Sequence, residues 1–207
     1  MSESAVKATC GRAQASVNER KVMESLVLLG HARTAEISRL VWPRAAYPEQ
    51  MCNRTLARLR TDSLILDRRN ACGSRSWVVT RKGAAWLEAR GVPARHTLDL
   101  SSVSGSSFAH RTLGSRFLVE QRIAGFSVAG EYQLAVGGLP FAIDSLCKRL
   151  GKASDGLYWR KGPDGKTLVR WLEVENSPKA LGEIQRILAV AEHAGTTLGG
   201  KRLAAAP

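Results

Sequence analysis

The chain has 207 residues, 44% of them hydrophobic, and carries 31 Lys and Arg against 18 Asp and Glu, a formal charge of +13. That length builds one large packed domain or two small ones, and no apolar run approaches the roughly 18 residues that span a bilayer. The opening MSESAVKATCGRAQ has no apolar core of the secretory kind, so a cytoplasmic, nucleoid-associated protein without a membrane partner is expected.

Residues 1–16 are small and polar and are expected to be disordered. A helix is expected from about residue 18 to 29, where Val22, Leu26 and Leu29 repeat at helical spacing and Met23 and Val27 widen the stripe. Asn18 suits its N-cap and Gly30 its stop. Thr34 is read as the cap of a second helix, from Ala35 to Val41. Pro48 occupies the favoured first position of a third, running to about Asp62. Met51, Thr55, Leu56 and Leu59 line one side of that third helix, and Arg54, Arg58 and Arg60 occupy others. Leu64, Ile65 and Leu66 then read as a strand, Asp67 to Arg75 as a basic, turn-rich tip, and Trp77 to Val79 as the returning strand. Thr80 caps a helix that Gly91 and Pro93 close.

Three helices, a hairpin and a closing helix within residues 17–95 match the winged variant of helix-turn-helix. Its third helix enters the major groove and needs side chains long enough to reach base edges, while the wing needs cations for phosphate. Gln50, Asn53, Arg54 and Arg58 are the groove candidates, and Arg68, Arg69 and Arg75 the wing candidates. Charge agrees: residues 1–95 hold 17 basic and 8 acidic side chains, residues 96–207 hold 14 and 10. Arg far outnumbers Lys in the first half, which suits phosphate and guanine. Double-stranded DNA is the expected partner. The alternative source of the charge is a genome rich in Arg and Ala codons, and winged helices also serve as protein-contact modules.

Residues 96–107 read as a linker. A helix at 108–123 is expected to turn Leu113, Phe117, Leu118 and Ile123 inward, followed by one or two strands over Phe126–Val136. Ser154–Arg160 and Thr167–Val174 form a hairpin through Gly162-Pro163-Asp164-Gly165, and a last helix at 180–194 carries Leu181, Ile184, Leu188 and Ala191. The tail, 196–207, shows no pattern. Glu173 and Glu175, two apart on an expected strand, share a face. With Asp155 they are candidate ligands for a hard divalent cation, or else they pair with arginines such as Arg170 or Arg186. Cys10, Cys52, Cys72 and Cys147 form no CxxC pair, and His31, His96, His110 and His193 are scattered, so no zinc site or disulfide framework is expected.

The Thr80-Arg81-Lys82-Gly83 start, the Asp155-Gly156 strand and Trp171-Leu172-Glu173-Val174-Glu175 together resemble the bacterial replication-relaxation (plasmid mobilisation accessory) family. That resemblance, over about Glu19 to Ala194, implies an α+β chain: a winged helix followed by a small α/β domain at 108–195 similar to the PD-(D/E)XK nuclease core. It implies a sequence-specific DNA-binding protein of a plasmid or mobile element, a transcriptional regulator or a transfer- or replication-origin accessory factor, with relaxosome or replication proteins as partners. A homodimer is expected, with the apolar faces of helices 108–123 and 180–194 as contacts. An active relative would use Asp155, Glu173 and Glu175 with magnesium. A nuclease of that fold puts Lys where Glu175 stands, with Lys179 or Lys152 the substitutes here. An inactive scaffold needing no cofactor is therefore the preferred expectation.

Overall fold

The computed structural model describes residues 3–69, 73, 75–94, 105–136, 139–141, 143–175, 180–192, 197–198 and 201–204. The fold is mixed α+β and divides into two compact units, Met1–Val103 and Ser104–Pro207. Among the described residues no helix is long and apolar enough to cross a membrane. The linker expected at 96–107 lies outside the described residues up to 104, and 105–107 belong to a helix.

The first unit runs α1 (Glu3–Leu29), α2 (Thr34–Val41), α3 (Pro48–Thr61), β1 (Ile65–Arg69), β2 (Arg75–Val79) and α4 (Arg81–Glu88). Val22, Met23 and Leu26 of α1, Ile37 of α2, Leu56 and Leu59 of α3, Ile65 of β1 and Leu87 of α4 are fully buried and form its core. The expected disorder is corrected for residues 3–16, which belong to α1; residues 1–2 lie outside the described residues. The first half of α1 has no apolar stripe in sequence, but it contains several Ala and other strong helix formers and no proline, so local propensity favours the helix. Asn18 is accordingly no cap; its side chain accepts a hydrogen bond from Gln14 one turn earlier. Nor does Thr34 cap α2. Arg33 is the N-cap residue, and its backbone N–H donates to the Glu36 carboxylate, a pairing that satisfies an orphan donor at the helix start. Thr34 instead accepts from the Trp77 indole at 3.2 Å.

β1 and β2 are antiparallel, in register from Ile65↔Val79 to Arg69↔Arg75. Arg68 and Arg69 thus stand on a strand rather than in the expected tip, whose residues 70–72 and 74 lie outside the described residues. Trp77 also exchanges two backbone hydrogen bonds with Ala32, which ties the hairpin to the α1–α2 turn. Thr80 caps α4 by accepting from the Gly83 N–H at 2.9 Å. Gly83 is required by close approach, since a Cβ there would run into the Leu64 carbonyl oxygen.

The second unit runs α5 (Gly105–Ile123), β3 (Ser127–Gly130), α6 (Glu131–Val136), α7 (Asp144–Leu150), β4 (Gly156–Lys161), β5 (Thr167–Leu172), α8 (Leu181–Glu192), β6 (Thr197–Leu198) and β7 (Lys201–Ala204). The sheet order is β3-β4-β5-β7-β6, with β5 and β7 parallel and the other pairs antiparallel. On one face of β4 and β5, Leu157, Val169 and Trp171 pack with Phe141, Ile143 and Leu146, and Val190 of α8 leans on this cluster. On the other face α5 approaches over Gly156, where an added Cβ would lie 2.9 Å from Leu118. Phe117 and Phe126 meet Tyr158 edge to face there.

Several expectations change in this unit. Leu118 is buried as expected, but Leu113, Phe117 and Ile123 are substantially exposed, and Phe108 and Val119 are buried in addition. The stretch expected as strands over Phe126–Val136 splits into β3 and the short helix α6. β5 ends at Leu172, so Glu173 and Glu175 do not share a strand face. The tail supplies two strands. Its β7 forms by pairing with β5 at residues about 30 positions earlier, a long-range partnership that leaves no mark on local periodicity.

Candidate functional site

In the first unit, Cys52, Thr55, Leu56 and Leu59 form the buried stripe of α3; Met51, expected there, is exposed. At 3.6 residues per turn, Gln50 and Arg54 point most directly away from that stripe, and Asn53 and Arg58 flank them on opposite sides. All four are exposed. Ala57, also exposed, sits in the middle of this face and adds only a methyl group to it.

The flanks differ. On the α1 side, Arg58 Nε donates to Glu19 Oε1 at 2.9 Å. On the hairpin side lies Arg60, close enough to Asp67 to help stabilise its ionised form. Arg69 and Arg75 are directly opposed across the hairpin, a like-charge pair that would repel. Asp67 relieves this by accepting from Arg75 Nε at 2.8 Å, and Arg75 also lies over the Trp77 ring. The hydrogen bond from Arg75, against a smaller opposing effect of desolvation, holds the Asp67 carboxyl below the usual carboxylate range. A depressed folded value means the pair contributes at neutral pH and is lost only when pH falls through that lowered value.

The structure thus gathers Gln50, Asn53, Arg54 and Arg58 on one helix, with Arg68, Arg69 and Arg75 on the adjoining hairpin. Glu19 and Arg60 take part as well. Arg60 was legible as a cation on the helix but not as a neighbour of the hairpin. Glu19 carried no signal, because its partner lies 39 positions away.

In the second unit, Asp155 immediately precedes β4 and Glu173 immediately follows β5, so they stand opposite each other at one end of this strand pair. Each carboxylate is fully engaged. Asp155 Oδ2 accepts from the Val174 N–H at 2.7 Å, and its Oδ1 lies 2.9 Å from His110 Nε2 of α5. Glu173 Oε2 accepts from the Trp171 indole at 3.2 Å, and its Oε1 lies 2.6 Å from Lys152 Nζ. Glu175 is exposed and outside the strand. The structure therefore brings Asp155 and Glu173 to the same end of the strand pair, each with other partners, and leaves Glu175 outside the strand. Among the described residues no group of three or more His, Cys, Asp and Glu is placed to hold a metal. A hard divalent ion needs several carboxylate oxygens, and here it would have to displace a lysine, a histidine, an indole and a backbone amide. His110 was missed because it belongs to a helix far away in sequence; Lys152 was noted, but its partner was not.

Of the cysteines with described side chains, Cys52 is buried in α3 and Cys147 half-buried in α7, both as free thiols. No family model fits the chain, and no curated protein or solved structure matches it.

Proposed function

We propose that the first unit is a winged helix that binds double-stranded DNA, reading sequence with α3 and gripping phosphate with the β1–β2 wing. The observation that carries this is one exposed helix face bearing Gln50, Asn53, Arg54 and Arg58, next to a hairpin bearing Arg68, Arg69 and Arg75. Supporting it are the order of elements, the bracing of α3 by α1 and α2, and the strand-like pairing of Ala32 with Trp77. Gln50 and Asn53 suit adenine, and Arg54 and Arg58 suit guanine or phosphate. The role is that of a transcriptional regulator or origin accessory factor of a plasmid or mobile element. It acts in the cytoplasm on nucleoid or plasmid DNA, alongside relaxosome or replication proteins. The second unit is a nuclease-like scaffold without activity, and a second copy docks on α8, where Leu181 and Leu188 are 71% and 56% exposed.

The test is selection of bound duplexes from a randomised library by the purified chain. Replacing both Arg54 and Arg58 with Ala should weaken binding to the recovered duplex by at least about thirtyfold, given the worth of groove contacts. Failure to retain any duplex at low salt would overturn the proposal.

One observation favours a second reading, a DNA endonuclease targeted by the winged helix: Lys152 contacts Glu173, which gives the carboxylate pair a lysine although Glu175 stands where one is expected. Magnesium- or manganese-dependent nicking of supercoiled plasmid, abolished by Asp155→Ala with DNA binding intact, would establish it. Binding without cutting in either metal would dismiss it.

A further inference from the structure

The Glu19–Arg58 contact assigns a role to a residue outside the helix that faces DNA. Glu19 belongs to α1, one turn before Val22 and Met23, both fully buried. Its backbone is therefore anchored in the core, and its side chain is only 23% exposed, against 49% for Arg58. The bond joins Glu19 Oε1 to Arg58 Nε, the inner edge of the guanidinium, at 2.9 Å. A guanidinium is planar, so a partner on Nε restricts the directions open to the two terminal amino groups beyond it. Those amino groups are the fork that meets the O6 and N7 of a guanine. An unbraced arginine on the flank of a helix has several rotamers, and most of them lead to the nearest phosphate, which carries no sequence information.

We infer that Glu19 is a positioning residue for sequence discrimination: it holds Arg58 in the orientation that reads a base edge. This rests on the DNA-binding reading above and deepens it. The opposite role for the same contact is a carboxylate that merely competes with phosphate for Arg58. The two roles differ in sign, because a brace adds discrimination, whereas a competitor lowers affinity for every duplex alike.

The experiment uses the full chain and two fluorescent duplexes of equal length, one recovered from the randomised library and one with its sequence scrambled. The ratio of the two affinities is the readout, measured across a salt series. Glu19→Ala should reduce that ratio about tenfold, with binding to the scrambled duplex nearly unchanged. Glu19→Gln keeps an acceptor for Nε and should restore most of the ratio. Arg58→Lys keeps the charge but has neither Nε nor fork, so it should lose the ratio while retaining the salt dependence; this variant leaves α1 untouched. In an Arg58→Ala background, Glu19→Ala should have no further effect on the ratio. If Glu19→Ala and Glu19→Gln both tighten binding to the two duplexes equally and steepen the salt dependence, Glu19 is a competitor and the inference falls. An equal loss on both duplexes, or a ratio that does not move, overturns it as well while leaving the DNA-binding proposal standing. Absence of any selected duplex removes both.

Discussion

Two ion pairs of similar length occupy opposite settings. Arg58–Glu19 in the first unit spans 2.9 Å with side chains 49% and 23% exposed. Lys152–Glu173 in the second spans 2.6 Å with side chains 16% and 18% exposed. In the first, charge is displayed: one acidic group steadies the base of an arginine that otherwise projects outward. In the second, charge is consumed, since Lys152 pairs with Glu173, and Asp155 at the same end of the strand pair is held by His110 and the Val174 N–H. Displayed charge suits a polyanionic partner, whereas consumed charge suits internal architecture. The difference favours binding in the first unit over catalysis in the second.

The sharpest way to break that contrast is to remove one partner from each pair. Lys152→Met should destabilise the second unit by about 1–3 kcal/mol, because a half-buried carboxylate loses its charged donor. Arg58→Ala should cost the first unit under about 1 kcal/mol, the usual worth of an exposed pair, while damaging DNA discrimination. Denaturant unfolding of each variant measures both. Equal costs would mean that the two pairs are not differently used.

A smaller effect separates the two surfaces within the first unit. Arg69→Ala on the hairpin should weaken binding to every duplex alike and lower the slope of log affinity against log salt by about 0.9, the signature of one lost phosphate contact. Arg54→Ala should instead change which duplex is preferred. If the Arg69 variant altered sequence preference, the hairpin would be reading bases and the division of labour between it and α3 would fail.

What could be read from the chain divides along physical lines. The stripe Val22-Leu26-Leu29, the proline opening α3 and the Thr80 cap are local signals, and the end of α1, the whole of α3 and the start of α4 stand within a few residues of their expected places. The first half of α1 was missed because its sequence carries no apolar stripe at helical spacing. α6 and α7 are too short for a periodic pattern, and Phe141 and Ile143 join the core from outside any helix or strand. β7 exists through its pairing with β5. At the sites, cations and acids were legible as residue types, but which acid meets which cation was not: Glu19 with Arg58, Asp67 with Arg75 and His110 with Asp155 depend on how the chain folds back on itself. The apparent Asp155, Glu173 and Glu175 triad dissolved because β5 stops one residue before Glu173.

The smallest expected effect tests the inner face of α3 rather than its outer one. Cys52 is fully buried, its S–H directed at the Thr34 carbonyl at 3.7 Å, and burial, with a lesser contribution from Glu49, pushes its thiol up to about 12. At pH 8 its thiolate fraction is therefore on the order of one in ten thousand, and the thiolate is the reactive form. Iodoacetamide at pH 8 should leave Cys52 unmodified in the native chain and alkylate it in guanidinium, as read by peptide mapping. The raised value also has a sign for stability: the unfolded thiol ionises first, so this contribution is complete below about pH 8.5 and is lost as pH rises above it. Should Cys52 react in the native chain as fast as a small free thiol, the stripe Cys52-Thr55-Leu56-Leu59 is not packed inward. The opposite stripe, Gln50-Arg54, would then lose the anchor that turns it outward, and with it the face on which the proposed duplex contact depends.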